Sequence, residues 1–173
     1  LVSWSRGKWI LIISEKEKIS SRDFFDTPYW FANLISQDLP YPDILASNID
    51  LLLLVITLKN PITTTSFIDR FLVSAEAYSI KTLLVFNKCD LYNEVEKDSL
   101  NFLIKIYDNI GYETIKTCAN SGKGIKELEN KISNKTIMLG GHSGVGTTSI
   151  INAIDGDLNL KVGNLSDQHS QGQ

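Results

Sequence analysis

Thr136-Ile137-Met138-Leu139-Gly140-Gly141-His142-Ser143-Gly144-Val145-Gly146-Thr147-Thr148-Ser149 runs from an apolar segment through clustered glycines into a helix-forming one. Its frame is that of a phosphate-binding loop, Gly-x-x-x-x-Gly-Lys-Ser/Thr between a strand and a helix. Gly141 and Gly146 supply the glycines and Thr148 the hydroxyl that would bind a magnesium ion. Backbone N–H groups in such a loop converge on an anion at the amino end of the helix. The position of the lysine is Thr147. A hydrogen bond to a charged group is worth about 1.5–3 kcal/mol, and threonine offers a hydroxyl without the charge. The plainer alternative, a glycine-rich turn, has strand, glycines and helix all against it.

Working back from this loop, residues 49–135 alternate short apolar runs with helical periodicity, as βαβ units do. Residues 49–57 form a continuous apolar run, short enough to read as a buried parallel strand. Residues 82–86, 113–117 and 136–139 read as three more strands. Helices are expected over residues 65–78, 93–110, 124–132 and 147–154, the second ended by Gly111. The fold class is therefore α/β, P-loop NTPase-like, a mainly parallel sheet with helices on both faces. By resemblance to the sheets of P-loop nucleotide-binding folds, the expected strand order places the 136 strand beside the 49 strand, then the 82 strand, then the 113 strand. That order makes the 136 strand an apolar edge, open to pairing with another chain, unless residues 1–45 cover it. Within those residues, 1–13 carry Trp4, Trp9 and an apolar run suggestive of two short strands.

Asn87-Lys88-Cys89-Asp90 closes the strand at 82–86 and reads as Asn-Lys-x-Asp. The Asp90 carboxylate suits the ring N–H and exocyclic amine of guanine, a pattern adenine lacks. Asn87 would bond the base edge and tie neighbouring loops together, and the Lys88 stem would pack over the ring. Cys118-Ala119-Asn120 ends the strand at 113–117, where a third loop would offer a backbone N–H to the guanine oxygen. The competing view is a polar turn with Asp90 near a helix start. Pairing with the phosphate loop favours a site for GTP or GDP with Mg2+. The base-reading loop precedes the phosphate loop, the reverse of the usual order in GTP-binding proteins.

Composition narrows the classes. With 43% apolar and 21% charged residues in 173, the chain is globular in character. A net charge of −3 argues against an extensive nucleic-acid surface. Two cysteines and two histidines are too few and too scattered for a structural zinc site. The longest apolar run is too short to span a bilayer, so no membrane partner is expected, and unpaired cysteines fit the cytoplasm.

The reversed order and the residues around it resemble the circularly permuted ribosome small subunit-dependent GTPase A family (RsgA/YjeQ), in particular members from the Bacteroidetes. The resemblance covers residues 46–172. It rests on Ala46-Ser47-Asn48-Ile49-Asp50, Phe67-Ile68-Asp69-Arg70-Phe71-Leu72, Asn87-Lys88-Cys89-Asp90-Leu91, Gly141-His142-Ser143-Gly144-Val145-Gly146 and Val162-Gly163-Asn164-Leu165-Ser166. It implies a GTP phosphohydrolase that acts on the small ribosomal subunit late in maturation, with an amino-terminal OB-fold and a carboxyl-terminal zinc module. By this resemblance residues 1–45 are a remnant of the OB-like segment, and residues 46–173 a GTPase domain incomplete at its carboxyl end. Contact with rRNA would be weakened by loss of the OB-fold. The sequence ends at Gln173, ahead of the family's switch and γ-phosphate-sensing segments and its zinc ligands. Together with Thr147 in place of the family's lysine, this implies weak or absent hydrolysis; Cys118 stands in place of the family's serine before Ala119. The alternative is a non-hydrolysing pseudo-GTPase or remnant acting as a binding module. Asp26-Thr27-Pro28-Tyr29 also resembles a sensing loop, but Tyr29 stands where glycine must approach phosphate.

Overall fold

The computed structural model describes residues Val2–Ser5, Lys8–Ile12, 49–156 and Leu160. The strands are β1 (Val2–Ser5), β2 (Lys8–Ile12), β3 (Leu51–Ile56), β4 (Thr82–Phe86), β5 (Glu113–Lys116) and β6 (Ile137–Gly140). The helices are α1 (Thr65–Ala77), α2 (Glu94–Asn109), α3 (Ile125–Ile132) and α4 (Thr147–Ile154), with a 3-10 turn at Cys89–Leu91. The segment Asp26-Thr27-Pro28-Tyr29 and the stretch Val162-Gly163-Asn164-Leu165-Ser166 lie outside the described residues.

The unbroken apolar run of β3 follows from burial on both faces. Successive side chains of a strand point to opposite sides. Leu52, Leu54 and Ile56 join one core with Ile68, Phe71 and Leu72 of α1 and Leu100 and Tyr107 of α2. Leu51, Leu53 and Val55 join a second core with Leu128 and Ile132 of α3 and Ile150 and Ile151 of α4. Every residue of β3 and β4 is buried. Local signals start the helices where expected. Thr64 caps α1 by accepting the Phe67 N–H at 3.3 Å. Asn93 and Glu96 form a reciprocal capping box at α2, with bonds of 2.9 and 2.8 Å.

The sheet order is β1-β2-β6-β3-β4-β5. Its four-strand portion β6-β3-β4-β5 is parallel throughout and matches the expected order. The β3 strand is shorter than the apolar run at both ends. Asp50 turns its carboxylate to the Thr136 N–H at 2.7 Å, and Thr57 is drawn into the next loop by a 2.6 Å bond to the Pro61 carbonyl. The β6 strand is not an edge. β2 pairs with it in parallel, with Ile10 opposite Ile137 and Ile12 opposite Leu139, and β1 pairs with β2 as an antiparallel hairpin. Removing residues 1–12 is therefore expected to speed amide exchange in Ile137–Gly140 by about tenfold, because unpaired strand groups lose hydrogen bonds worth about 1 kcal/mol each. Equal protection with and without the hairpin, measured by hydrogen exchange, would show that β2 does not hold that edge.

Because β3, β4, β5 and β6 run parallel, the loops that follow them emerge at the same end of the sheet. This is where open α/β sheets place their ligands.

Candidate nucleotide-binding site

The glycine loop leaves β6 tightly packed against α1. A Cβ on Gly140 would lie 2.5 Å from the Phe71 ring. The His142 ring stacks on Phe67 with centroids 3.9 Å apart and planes tilted by 33°. Val145 is buried, and its N–H donates to the His142 carbonyl at 3.3 Å, closing the turn. Gly146 caps α4 in the left-handed region, at φ +94, and a Cβ there would meet the Asn87 amide at 2.5 Å. Both the conformation and the space require glycine. The first α4 bond is from Ile150 N–H to the Gly146 carbonyl at 2.9 Å, and no side chain caps this end. The amides ahead of it point out of the helix end, with the positive pole of its dipole. Ser143 and Gly144 are exposed, while Thr147, Thr148 and Ser149 are half-buried around that end. Thr148, the candidate magnesium ligand, stands in the first turn of α4.

Asn87 joins the loops. Its side chain is 1% exposed. Its amide donates to the Val145 carbonyl at 2.9 Å, and its oxygen accepts the Thr117 hydroxyl at 3.1 Å. Its backbone N–H donates to the Ile56 carbonyl at 2.8 Å. One residue thus spans the ends of β3, β4 and β5 and the phosphate loop. Lys88 takes a left-handed conformation at φ +60 and sends its ammonium to the Gly144 carbonyl at 2.6 Å and to the Asn60 carbonyl. Burial lowers the Lys88 pKa from its ordinary value, and the neighbouring Asp90 carboxylate raises it.

Cys89 is half-buried, with its thiol donating to the Phe86 carbonyl at 3.2 Å and its pKa raised chiefly by burial. Asp90 is exposed. In the third loop the Cys118 N–H already donates to the Lys123 carbonyl at 2.9 Å. The half-buried Ala119, by contrast, has no such acceptor among the described residues. The sequence-predicted residues are therefore gathered at one end of the sheet, with an uncapped helix end and an exposed carboxylate among them.

Three contributors had no sequence signature. Thr117, Tyr92 and the loop at residues 57–63 all touch this network. Nothing in period or motif marks them, because each acts through a contact made only in the folded chain.

Comparison with known proteins fits the arrangement. The family model described as RsgA GTPase matches residues 32–173. The chain belongs to the RsgA GTPase family. An RsgA from Flavobacterium psychrophilum, named a small ribosomal subunit biogenesis GTPase, is 52% identical over 130 residues, covering 75% of this chain and 40% of that protein. One from Christiangramia forsetii is 49% identical, covering 75% and 41%. YjeQ from Thermotoga maritima superimposes with a TM-score of 0.63 at 41% identity, over 67% of this chain and 41% of that one. YloQ, described as a circularly permuted GTPase, gives 0.56 at 32% identity, over 64% and 39%. The chain thus spans about two fifths of the length of these RsgA relatives. Among the described residues no helix is long and apolar enough to cross a membrane.

Proposed function

We propose that this chain binds a guanine nucleotide with Mg2+, as the nucleotide-holding part of a GTPase that serves small ribosomal subunit biogenesis. The observation that carries the reading is the Asn87 bridge, which sets Asp90 and the cradle at residues 141–149 on one frame. In it, Asp90 reads guanine, the Lys88 stem lines the base, and Ala119 offers its N–H to the base oxygen. Gly141, Gly144, Gly146 and Thr147 hold phosphate through backbone groups, and Thr148 holds the metal ion. Residues 46–173 form the GTPase domain. The partner follows from the relatives' names, and the setting is the cytoplasm.

Thr147 in the lysine position favours a second form of this reading: a domain that binds guanine nucleotide but hydrolyses it weakly or not at all. Phosphoryl transfer depends on positioning and charge, and this loop lacks one cation. Turnover stimulated by small ribosomal subunits, above that of an Asp90→Ala control, would mark the hydrolysing form. Its absence would mark the binding form.

The base-reading role has its own test. The unsubstituted chain is expected to bind GDP far more tightly than ADP in a calorimetric titration. Asp90→Ala is expected to weaken GDP by about a hundredfold, since it removes charge-assisted bonds each worth about tenfold or more. ADP should be unaffected. Equal affinity for the two nucleotides would overturn the reading.

A further inference from the structure

Tyr92 lies two residues past Asp90 and is 4% exposed. Its hydroxyl accepts the Leu58 N–H at 2.9 Å and donates to the Asn87 carbonyl at 2.7 Å. Burial pushes the phenol up to about 12, so it stays a donor across the working range of pH. Leu58 belongs to a loop that closes on itself. Thr63 donates its N–H to the Thr57 carbonyl at 2.8 Å, and Thr57 N–H returns to the Thr63 hydroxyl at 3.2 Å. The same loop meets Lys88 through the Asn60 carbonyl and Glu96 through Lys59 at 3.0 Å.

We infer that Tyr92 is a positioning residue of the guanine site, holding the base-reading loop against the loop at residues 57–63, which forms a further wall of that site. The inference rests on the guanine-nucleotide reading above. Without the phenol oxygen, the buried Asn87 carbonyl loses the donor that fixes the peptide leading into Lys88. The Leu58 N–H loses its acceptor as well, and the wall that receives the Lys88 ammonium is released. The Asn87 side chain keeps its own bonds to Val145 and Thr117, so the site loosens without coming apart.

Tyr92→Phe keeps the ring and its packing. Release of fluorescently labelled GDP is expected to quicken by about tenfold, the scale of a lost buried hydrogen bond. Tyr107→Phe is the control. Tyr107 is equally buried, but its hydroxyl bonds Asp69 at 2.9 Å between α1 and α2, away from the loops. It is expected to lower the melting temperature and leave GDP release alone. In the nucleotide-free chain, Tyr92→Phe is expected to speed amide exchange at Leu58 and Thr63 while Leu53 and Val85 keep their protection. A fall in melting temperature with unchanged GDP release would assign Tyr92 a structural role only and overturn the inference, leaving the guanine reading intact. No GDP binding by the unsubstituted chain would remove the site and the inference with it.

Discussion

Replacing Thr147 with lysine is expected to tighten GTP binding by about 10- to 100-fold, the equivalent of about 1.5–3 kcal/mol for hydrogen bonds to a charged group. Thr147 opens α4 directly after Gly146, at the amino end that no side chain caps. A lysine stem there would run along the loop and place an ammonium among the terminal phosphates, where threonine offers a hydroxyl but no charge. GDP should gain less, because it carries less charge for the new cation to meet. The melting temperature of the nucleotide-free chain should hardly move, since the residue is half-buried and the helix keeps its core contacts through Ile150 and Ile151. Parallel titrations of both nucleotides with both chains decide it. Equal GTP affinity would mean that the backbone cradle alone sets the binding.

Asn87→Ala should be the most damaging single change to the site. It leaves the buried Val145 carbonyl without its 2.9 Å donor and the buried Thr117 hydroxyl without its 3.1 Å acceptor. The unsatisfied Val145 carbonyl costs about 1–3 kcal/mol, whereas the Thr117 hydroxyl keeps the Phe86 carbonyl at 3.5 Å, so a loss of about 1–3 kcal/mol in urea unfolding is expected. GDP binding should be lost at the same time, because the phosphate loop and base-reading loop are no longer on one frame. Asn87→Asp isolates the donor. It retains an acceptor for Thr117 but turns an oxygen toward the Val145 carbonyl, and it should be nearly as destabilising as alanine. Unfolding of the nucleotide-free chain separates this effect from binding. Stability equal to that of the unsubstituted chain would show that the loops are held by other contacts.

The strand within the apolar run at residues 49–57, the strand before Asn87 and the strand before the glycine loop were all legible, because burial on two faces demands unbroken hydrophobic sequence. The helices after residues 64 and 93 were legible through the spacing of their apolar residues, and Gly146 through the loop frame, whereas the caps at Thr64 and Asn93 emerged only in the folded chain. The fate of the β6 edge was not. Covering it depends on whether a distant hairpin finds the strand, and pairing partners leave no period in either segment. Tyr92 was invisible for a related reason: its two hydrogen bonds go to backbone groups, which every residue carries, so no side-chain pattern announces them.

The order of chemical groups along the chain was determined by the sequence itself, since a carboxylate for guanine and glycines for phosphate are properties of residue type. So was the spacing that puts them directly after the strands at 82–86 and 137–140. Only the tertiary structure decided that Lys88 reaches both Gly144 and Asn60, that Asn87 binds Val145 across 58 positions of chain, and that Phe67 lies on His142. Those are distances between segments remote in sequence. They exist because parallel strands bring loops remote in sequence to one end of the sheet, and only packing fixes which side chain meets which carbonyl.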